Sequence, residues 1–443
     1  MNRVLGIRRE DKNIWERRVP LSPRAVEDLI RSNLRVLLQP APGRAFPDRE
    51  YLQSGAEIEE DLTPAQVIFA IKEIPLSFFQ PGRTYIFFSH TAKGQAYNMP
   101  MLQRMMDLKC TLIDYEKVVD DQGKRLIFFG KFAGLAGMID SLWTLGRKLE
   151  KEGTSNPFSA LKQAHHYPDL NSAKQAVKQV GEEILAKGLP QSMPPFICAF
   201  LGYGNVSVGA QEIFNLLPYS EIKPEEILSV YKNPDSSRHT LYKVVFKEEN
   251  LVEPVEPQKK FELADYYQNP ENYHSRFYRY LPYLGMIING IYWEKRYPKF
   301  VTCDALDKLY RENRLPLKVI GDISCDIGGA MECTIKATVT EQPVFTYHPG
   351  NRQIIDDFAP DGIAVMSVDN LPCELPKESS EVFSLALEPY VPSIVKADYG
   401  VEFADLNLPP AIKNAVILHQ GCLTPNFGYL GKFLPQPSLG TNG

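Results

Sequence analysis

Residues Phe196 to Leu201 (FICAFL) run straight into Gly202-Tyr203-Gly204-Asn205-Val206-Ser207-Val208-Gly209 and then into the helical stretch AQEIFNLL. A buried strand, a G-x-G turn and a helix in immediate succession make the corner of a doubly wound parallel sheet. The first glycine supplies the turn and the second lets the backbone approach a pyrophosphate. The helix N-terminus then offers N–H groups and the positive end of its dipole. Gly202, Tyr203, Gly204, Asn205 and Val206 are therefore candidate dinucleotide-binding residues. The third position departs from the usual pattern, with Ser207 where glycine is common and Gly209 two places on. A tight turn without a ligand is the alternative reading.

The rest of the chain agrees with an α/β fold. Val4–Ile7, Arg35–Leu38, Val67–Ile71 (VIFAI), Tyr85–Phe88 (YIFF) and Cys110–Ile113 (CTLI) are short apolar runs separated by helix-length segments. Such runs are strands buried on both faces of a parallel sheet. Ser22-Pro23 offers an N-cap with proline at the first helical position. Glycine and alanine cluster from Gly130 to Gly137, where close packing or a hinge is expected. Beyond the glycine loop the strand candidates are Ile227–Tyr231 (ILSVY), Met286–Ile288, Leu317–Ile320, Val344-Phe345 and Ile363–Met366. The segment 233–282 shows no clear period and reads as an insertion. At 443 residues the chain needs more than one core.

Composition excludes several classes. A net charge of −5 gives no general pull towards nucleic acid or anionic membrane. No apolar run approaches the roughly 20 residues that span a bilayer. The seven cysteines form no CxxC pair and the seven histidines have no ligand spacing, so neither a metal site nor a disulfide frame is expected. The N-terminal segment enters a strand at once with no apolar targeting core, which points to the cytosol.

Polar residues close the strands of the first part of the chain. VIFAI ends in Lys72-Glu73, YIFFS in His90, and TLIDY in Glu116. In a parallel sheet these ends share one rim, where α/β folds bind ligands. A desolvated lysine becomes a base and a histidine exchanges protons near neutral pH. Arg18 suits a two-pronged contact to a substrate carboxylate. Each also has a plain reading: Arg18 as a surface cation, His90 as a satisfied core histidine, Lys72 as a snorkelling strand end. Farther on, Asp322-Ile-Ser-Cys-Asp326-Ile-Gly328-Gly329 places carboxylates and glycines after a strand. A ribose contact and a capped turn account for it equally. After ILSVY come Lys232, Asn233 and Arg238 rather than an acid. That favours a 2′-phosphate and hence NADP(H), with NAD(H) possible and a merely solvated surface as the alternative.

Taken in order, IRREDKNIWERRVPLSP, IKEIP, FFSHTAKGQ, LIDYEKVVDDQGKR, GKFAGLAGMID, GYGNVSVGAQEIF, NGIYWE, GDISCDIGG and SVDNLPCELPKESSE resemble lysine 2-oxoglutarate reductase. That is the amino-terminal half of the bifunctional aminoadipic semialdehyde synthases. The chain is more distantly similar to fungal saccharopine dehydrogenase and alanine dehydrogenase. The resemblance implies two Rossmann-like domains around a cleft, the first discontinuous: residues 1–140 with 340–425 for substrate, and 141–339 for the dinucleotide. Residues 426–443 are expected to be a loose tail. It implies an acid–base pair, Lys72 and His90, with Arg18, Lys93, Gln95, Glu73, Glu116 and Arg125 on the substrate side. It places Asn289, Asp326, Asn370 and Leu371 beside the nicotinamide nucleotide. The activity implied is the reversible reductive condensation of L-lysine and 2-oxoglutarate to saccharopine. The family's second enzyme, which cleaves saccharopine, is expected to be missing from a chain of this length. The rival readings are an alanine-dehydrogenase-like enzyme using ammonia and a catalytically silent NAD(P)-binding subunit.

Overall fold

The computed structural model describes residues 3–434. The chain divides into two compact units, one holding residues up to 129 and from 376 onward, the other residues 130–375. Each is α/β and each is built on an eight-stranded, mostly parallel sheet.

In the first unit the strands lie in the order Cys422–Leu423, Val416–His419, Thr111–Asp114, Thr84–Phe87, Val67–Phe69, Val4–Ile7, Arg35–Leu38, Glu57–Ile58. The six from Thr111 to Glu57 are parallel, and the two carboxy-terminal strands join antiparallel. Side chains alternate between two cores, as a pleated strand requires. Val67 and Phe69 enter one, with Phe383 and Leu387 of the helix Pro376–Leu387. Ile68 enters the other, with Leu102 and Met105. Ser22 caps the helix Pro23–Arg31 by accepting the Ala25 N–H at 3.4 Å.

The second sheet runs Gln353–Ile355, Val344–His348, Ile363–Met366, Val319–Asp322, Met286–Asn289, Ile197–Leu201, Leu241–Phe246, Tyr219–Glu221. The glycine strand Ile197–Leu201 is central, parallel to Met286–Asn289 on one side and Leu241–Phe246 on the other. Small residues at 130–137 serve close packing. A Cβ on Gly134 would stand 1.9 Å from the Val206 carbonyl oxygen, and one on Gly209 would stand 2.1 Å from that of Lys131. The helices Gly130–Lys151 and Asn205–Phe214 thus meet backbone to backbone.

Four expectations need correction. ILSVY is not a strand: Ile227–Lys232 is a helix, preceded by a turn at Pro224–Glu226 with two acids. The segment 233–282 is not simply an insertion, because it contains Leu241–Phe246, the direct neighbour of the glycine strand. The second unit runs from 130 to 375 rather than from 141 to 339, because Val344–His348 and Ile363–Met366 pair into its sheet. The expected tail at 426–443 begins packed. Phe427 and Leu430 are buried, and the Tyr429 hydroxyl donates to the Ala92 carbonyl at 2.5 Å. Residues 435–443 lie outside the described part. No helix among the described residues is long and apolar enough to cross a membrane.

Candidate active site

Parallel pairing of the Val67, Thr84 and Thr111 strands puts their carboxyl ends side by side. Lys72, Glu73, His90 and Glu116 follow those ends within a few residues. His90 Nδ1 lies 2.7 Å from Glu73 Oε1, and Lys12 Nζ lies 2.8 Å from Glu73 Oε2. Burial works to raise the Glu73 carboxyl, but the hydrogen bonds from His90 and Lys12 prevail and hold it at about 2. Glu73 is therefore a carboxylate at neutral pH, an acceptor only. A carboxylate can only accept, so the His90 Nδ1 carries the proton of this contact.

Lys72 is half-buried, and burial pushes its ammonium below the usual lysine range. The Arg18 guanidinium lowers it further, against the opposing pull of Glu16. Arg18 itself is 3% exposed and its Phe129 neighbour sits 4.2 Å beneath the guanidinium. Its Nε and Nη2 reach Glu16 at 2.7 and 2.5 Å. The forked edge expected to face a substrate carboxylate is thus turned to an internal carboxylate. Glu116 accepts from Arg125 at 2.6 Å. Lys93 and Gln95 sit on the loop after His90, where the Gln95 side-chain oxygen accepts the Lys93 N–H at 3.3 Å.

Several residues that shape this rim were not found from sequence. Asp114 is fully buried; its carboxylate accepts from Ser89 and caps the Glu116 N–H at 2.8 Å, and burial lifts it to about 6. His90 has φ 50°, a left-handed backbone uncommon for a side-chain-bearing residue. Its carbonyl accepts from Asn98 at 3.2 Å, and Ser89 beside it is tied to Asp114, so the turn is held from both sides. Glu10, Lys12 and Glu16 all come from the loop after the first strand. Only the pairing of distant segments brings them here.

In the second unit the glycine loop has the geometry of a nucleotide cradle. Gly202 has φ 87°, where a Cβ would also meet Ile291 at 2.8 Å. A Cβ on Gly204 would meet nothing within 4 Å, so the backbone there is open to a pyrophosphate. Gly204 is the N-cap of the ten-residue helix Asn205–Phe214, and it provides no side-chain cap for the N–H groups of that first turn. Those features fit a dinucleotide. Asn289 ends the neighbouring strand and donates to Asp322 at 2.8 Å. Asp322, fully buried, also accepts from Thr334 at 2.6 Å, and burial raises it to about 6. Asp322 is therefore an internal brace, and half-buried Asp326 is the acid on the loop beyond it. Leu371 is 1% exposed and packs into the unit's core near Gly137. Its neighbour Asn370 is half-buried.

Lys232 does not belong to this site. It lines a cavity of about 950 Å³ together with Phe196, Gly285 and Lys318, which precede the strands that start at Ile197, Met286 and Val319. That is the amino-terminal rim of the sheet, opposite the glycine loop. Arg238 is spent there too, donating to the Leu189 carbonyl at 2.6 Å. The strand beside the glycine strand ends instead in Phe246-Lys247-Glu248. Lys247 Nζ lies 5.8 Å from the centre of the Tyr203 ring, and Glu248 accepts the Tyr267 hydroxyl at 2.6 Å. The acid judged missing is present, with a cation next to it.

Comparison with known proteins agrees with this architecture. The family models for the alanine dehydrogenase/PNT N-terminal and C-terminal domains match residues 6–136 and 287–426. Alpha-aminoadipic semialdehyde synthase of Arabidopsis thaliana is 39% identical over 97% of this chain and 41% of its own length. The mitochondrial enzyme of that name from Bos taurus is 38% identical over 97% and 48%. The chain thus spans about half the length of these relatives. Saccharopine dehydrogenase [NAD(+), L-lysine-forming] of Yarrowia lipolytica is 26% identical over 89% of this chain and 93% of its own. Among solved structures an L-alanine dehydrogenase superposes with a TM-score of 0.63 at 18% identity, covering 98% of this chain and all of that one. With both domain models matched in order, over residues 6–136 and 287–426, this chain belongs to the alanine dehydrogenase/PNT family.

Proposed function

We propose that this chain catalyses the reversible reductive condensation of L-lysine with 2-oxoglutarate to saccharopine, at the expense of a nicotinamide nucleotide. The observation that carries the reading is the Lys72–Glu73–His90 cluster at the strand ends, in a chain 39% identical to an alpha-aminoadipic semialdehyde synthase. The lysine ε-ammonium must lose a proton before it can attack the ketone of 2-oxoglutarate. A base with a lowered pKa is suited to take it, and Lys72 is that group. The carbinolamine then loses water to give an imine, which needs a proton delivered to the departing oxygen. His90 Nε2 delivers it, while Glu73 stabilises the imidazolium and holds the ring. The substrates' carboxylates are assigned to the exposed cations of the rim, Lys93 and Arg125, with Gln95 as a polar contact, while Arg18 stays paired with Glu16 beside Lys72. Glu116 keeps Arg125 in place.

The glycine loop Gly202 to Val206, with Asn289, Asp326 and the Asn370-Leu371 backbone, would hold the nucleotide. When bound it supplies or accepts the hydride. NADP(H) remains the proposed preference, on a different basis from Lys232. Glu248 already serves Tyr267, while Lys247 stands over the Tyr203 ring as the cation for a 2′-phosphate.

The deciding assay follows NADPH and NADH oxidation with lysine plus 2-oxoglutarate, and with ammonia plus pyruvate. Turnover with the first pair alone supports the proposal. Turnover only with ammonia and pyruvate means an alanine-dehydrogenase-like enzyme, and no turnover with either refutes it.

A further inference from the structure

Glu10 lies on the loop after the first strand, in the run Ile7-Arg8-Arg9-Glu10-Asp11. The Val4 and Val67 strands pair in parallel, and their last ladder contact is the Arg8 N–H on the Phe69 carbonyl at 2.9 Å. Beyond it the Val67 strand has lost its partner on that side. Glu10 takes the partner's place. Its Oε1 accepts the Ile71 N–H at 2.6 Å and its Oε2 accepts the Lys72 N–H at 3.0 Å. Two consecutive N–H groups aimed at one carboxylate are incompatible with a straight strand, in which they alternate. The chain bends at Ile71-Lys72, and Glu10 is what satisfies the bend.

The bend decides where Lys72 and Glu73 go. The loop that carries Glu10 also carries Lys12, which binds Glu73, and Glu16, which binds Arg18. We propose that Glu10 is a positioning residue: by clasping the Ile71 and Lys72 amides it sets the Lys72 amine among Arg18, Glu16, Lys12 and Glu73. This rests on the reading of Lys72 as the base. The role demands a two-oxygen acceptor, because both N–H groups would otherwise be left without partners away from bulk water. Burial and the neighbouring Glu16 raise the Glu10 carboxyl to about 7, against the two backbone donors and Arg8.

The test uses the full chain and the variants Glu10→Gln, Glu10→Asp and Lys72→Met. Glu10→Gln keeps the size but opposes one N–H with an NH2 group. Released from its bend, Lys72 regains solvent and leaves the field of Arg18, so its pKa rises. The limb of kcat/KM that ascends with pH should then move to higher pH. Displacement of the base should lower kcat/KM for lysine by about 10- to 100-fold. Hydrogen exchange in peptides covering residues 70–74 should quicken, and nucleotide affinity should stay as in the wild type. Glu10→Asp, which keeps the charge on a shorter arm, should fall between the two and stands in if Glu10→Gln does not fold. Should the foldable variant merely lower Tm, with the pH limb, turnover per folded molecule and exchange at 70–74 unchanged, Glu10 is not a positioning residue. Lys72→Met separates the two ideas: if it alone stays active, the base assignment and this role fall together, and if it is dead while Glu10 variants are normal, only this role falls.

Discussion

Gly134→Ala sets two physical rules against each other. Alanine is favoured over glycine inside a helix by about 1 kcal/mol, so propensity alone predicts a more stable protein. The structure predicts the reverse. The new Cβ would lie 1.9 Å from the Val206 carbonyl oxygen and 2.7 Å from the Ala210 nitrogen, so the helices must part until 1.9 Å becomes at least 3.0 Å. Both atoms are backbone and cannot rotate away. Overpacking costs about 1–3 kcal/mol, and the upper end applies where nothing can yield. The net is about 2 kcal/mol of destabilisation, or a fall of about 4–8 °C in Tm for a unit of this size. Val206 also lies in the first turn of the helix that opens on the glycine loop. Moving it shifts the N–H groups offered to the nucleotide, and one lost charge-assisted hydrogen bond of about 1.5–3 kcal/mol weakens binding at least about tenfold. Thermal unfolding and fluorescence titration with the nucleotide read both effects. Gly43→Ala is the control, since a Cβ there meets nothing within 4 Å. A Gly134→Ala protein with wild-type or higher Tm and an unchanged nucleotide Kd would refute the reasoning.

Lys72→Met and His90→Gln should each lower kcat/KM by at least about 10²-fold, the scale of a lost proton-transfer group, while nucleotide Kd measured by titration stays the same. Lys247→Ala should reduce kcat/KM with NADPH relative to NADH by about tenfold or more, and Lys232→Ala should leave the ratio alone; steady-state kinetics with both cofactors decides it. Asp140 and Glu374 form a buried carboxyl pair in the second unit, with His165 Nδ1 3.6 Å from Glu374. Burial raises Glu374 from an ordinary 4.5 to about 7 and Asp140 well above its usual range. A folded-state pKa above the unfolded one means stability that is full below about pH 4.5 and lost as pH rises through about 7. Urea unfolding at pH 5 and pH 8 should show this fall in the wild type and a smaller one in Glu374→Gln.

The sequence by itself determined the features whose signals are local. A five-residue apolar run, two glycines and a helix are contiguous, so the nucleotide corner at 197–214 could be read without knowing what surrounds it. The same holds for Lys72, His90 and Glu116, because a parallel sheet places every strand's end on one rim whatever the order of strands. Tertiary structure decided everything that depends on which segments are neighbours. ILSVY and LYKVVF are both short and apolar, and periodicity over five or six residues does not separate helix from strand. Pro224 with two acids before Ile227 was the available sign of a helix start, and the β-branched and aromatic residues of LYKVVF the sign of a strand. Choosing between them fixed whether Lys232 or Lys247 stands near the glycine loop. Glu10 and Asp114 were illegible for a stronger reason. Each acts on residues 25 to 62 positions away, through hydrogen bonds that exist only once the strands have paired. A sequence states which charged groups are available; the register of the sheet states which of them meet.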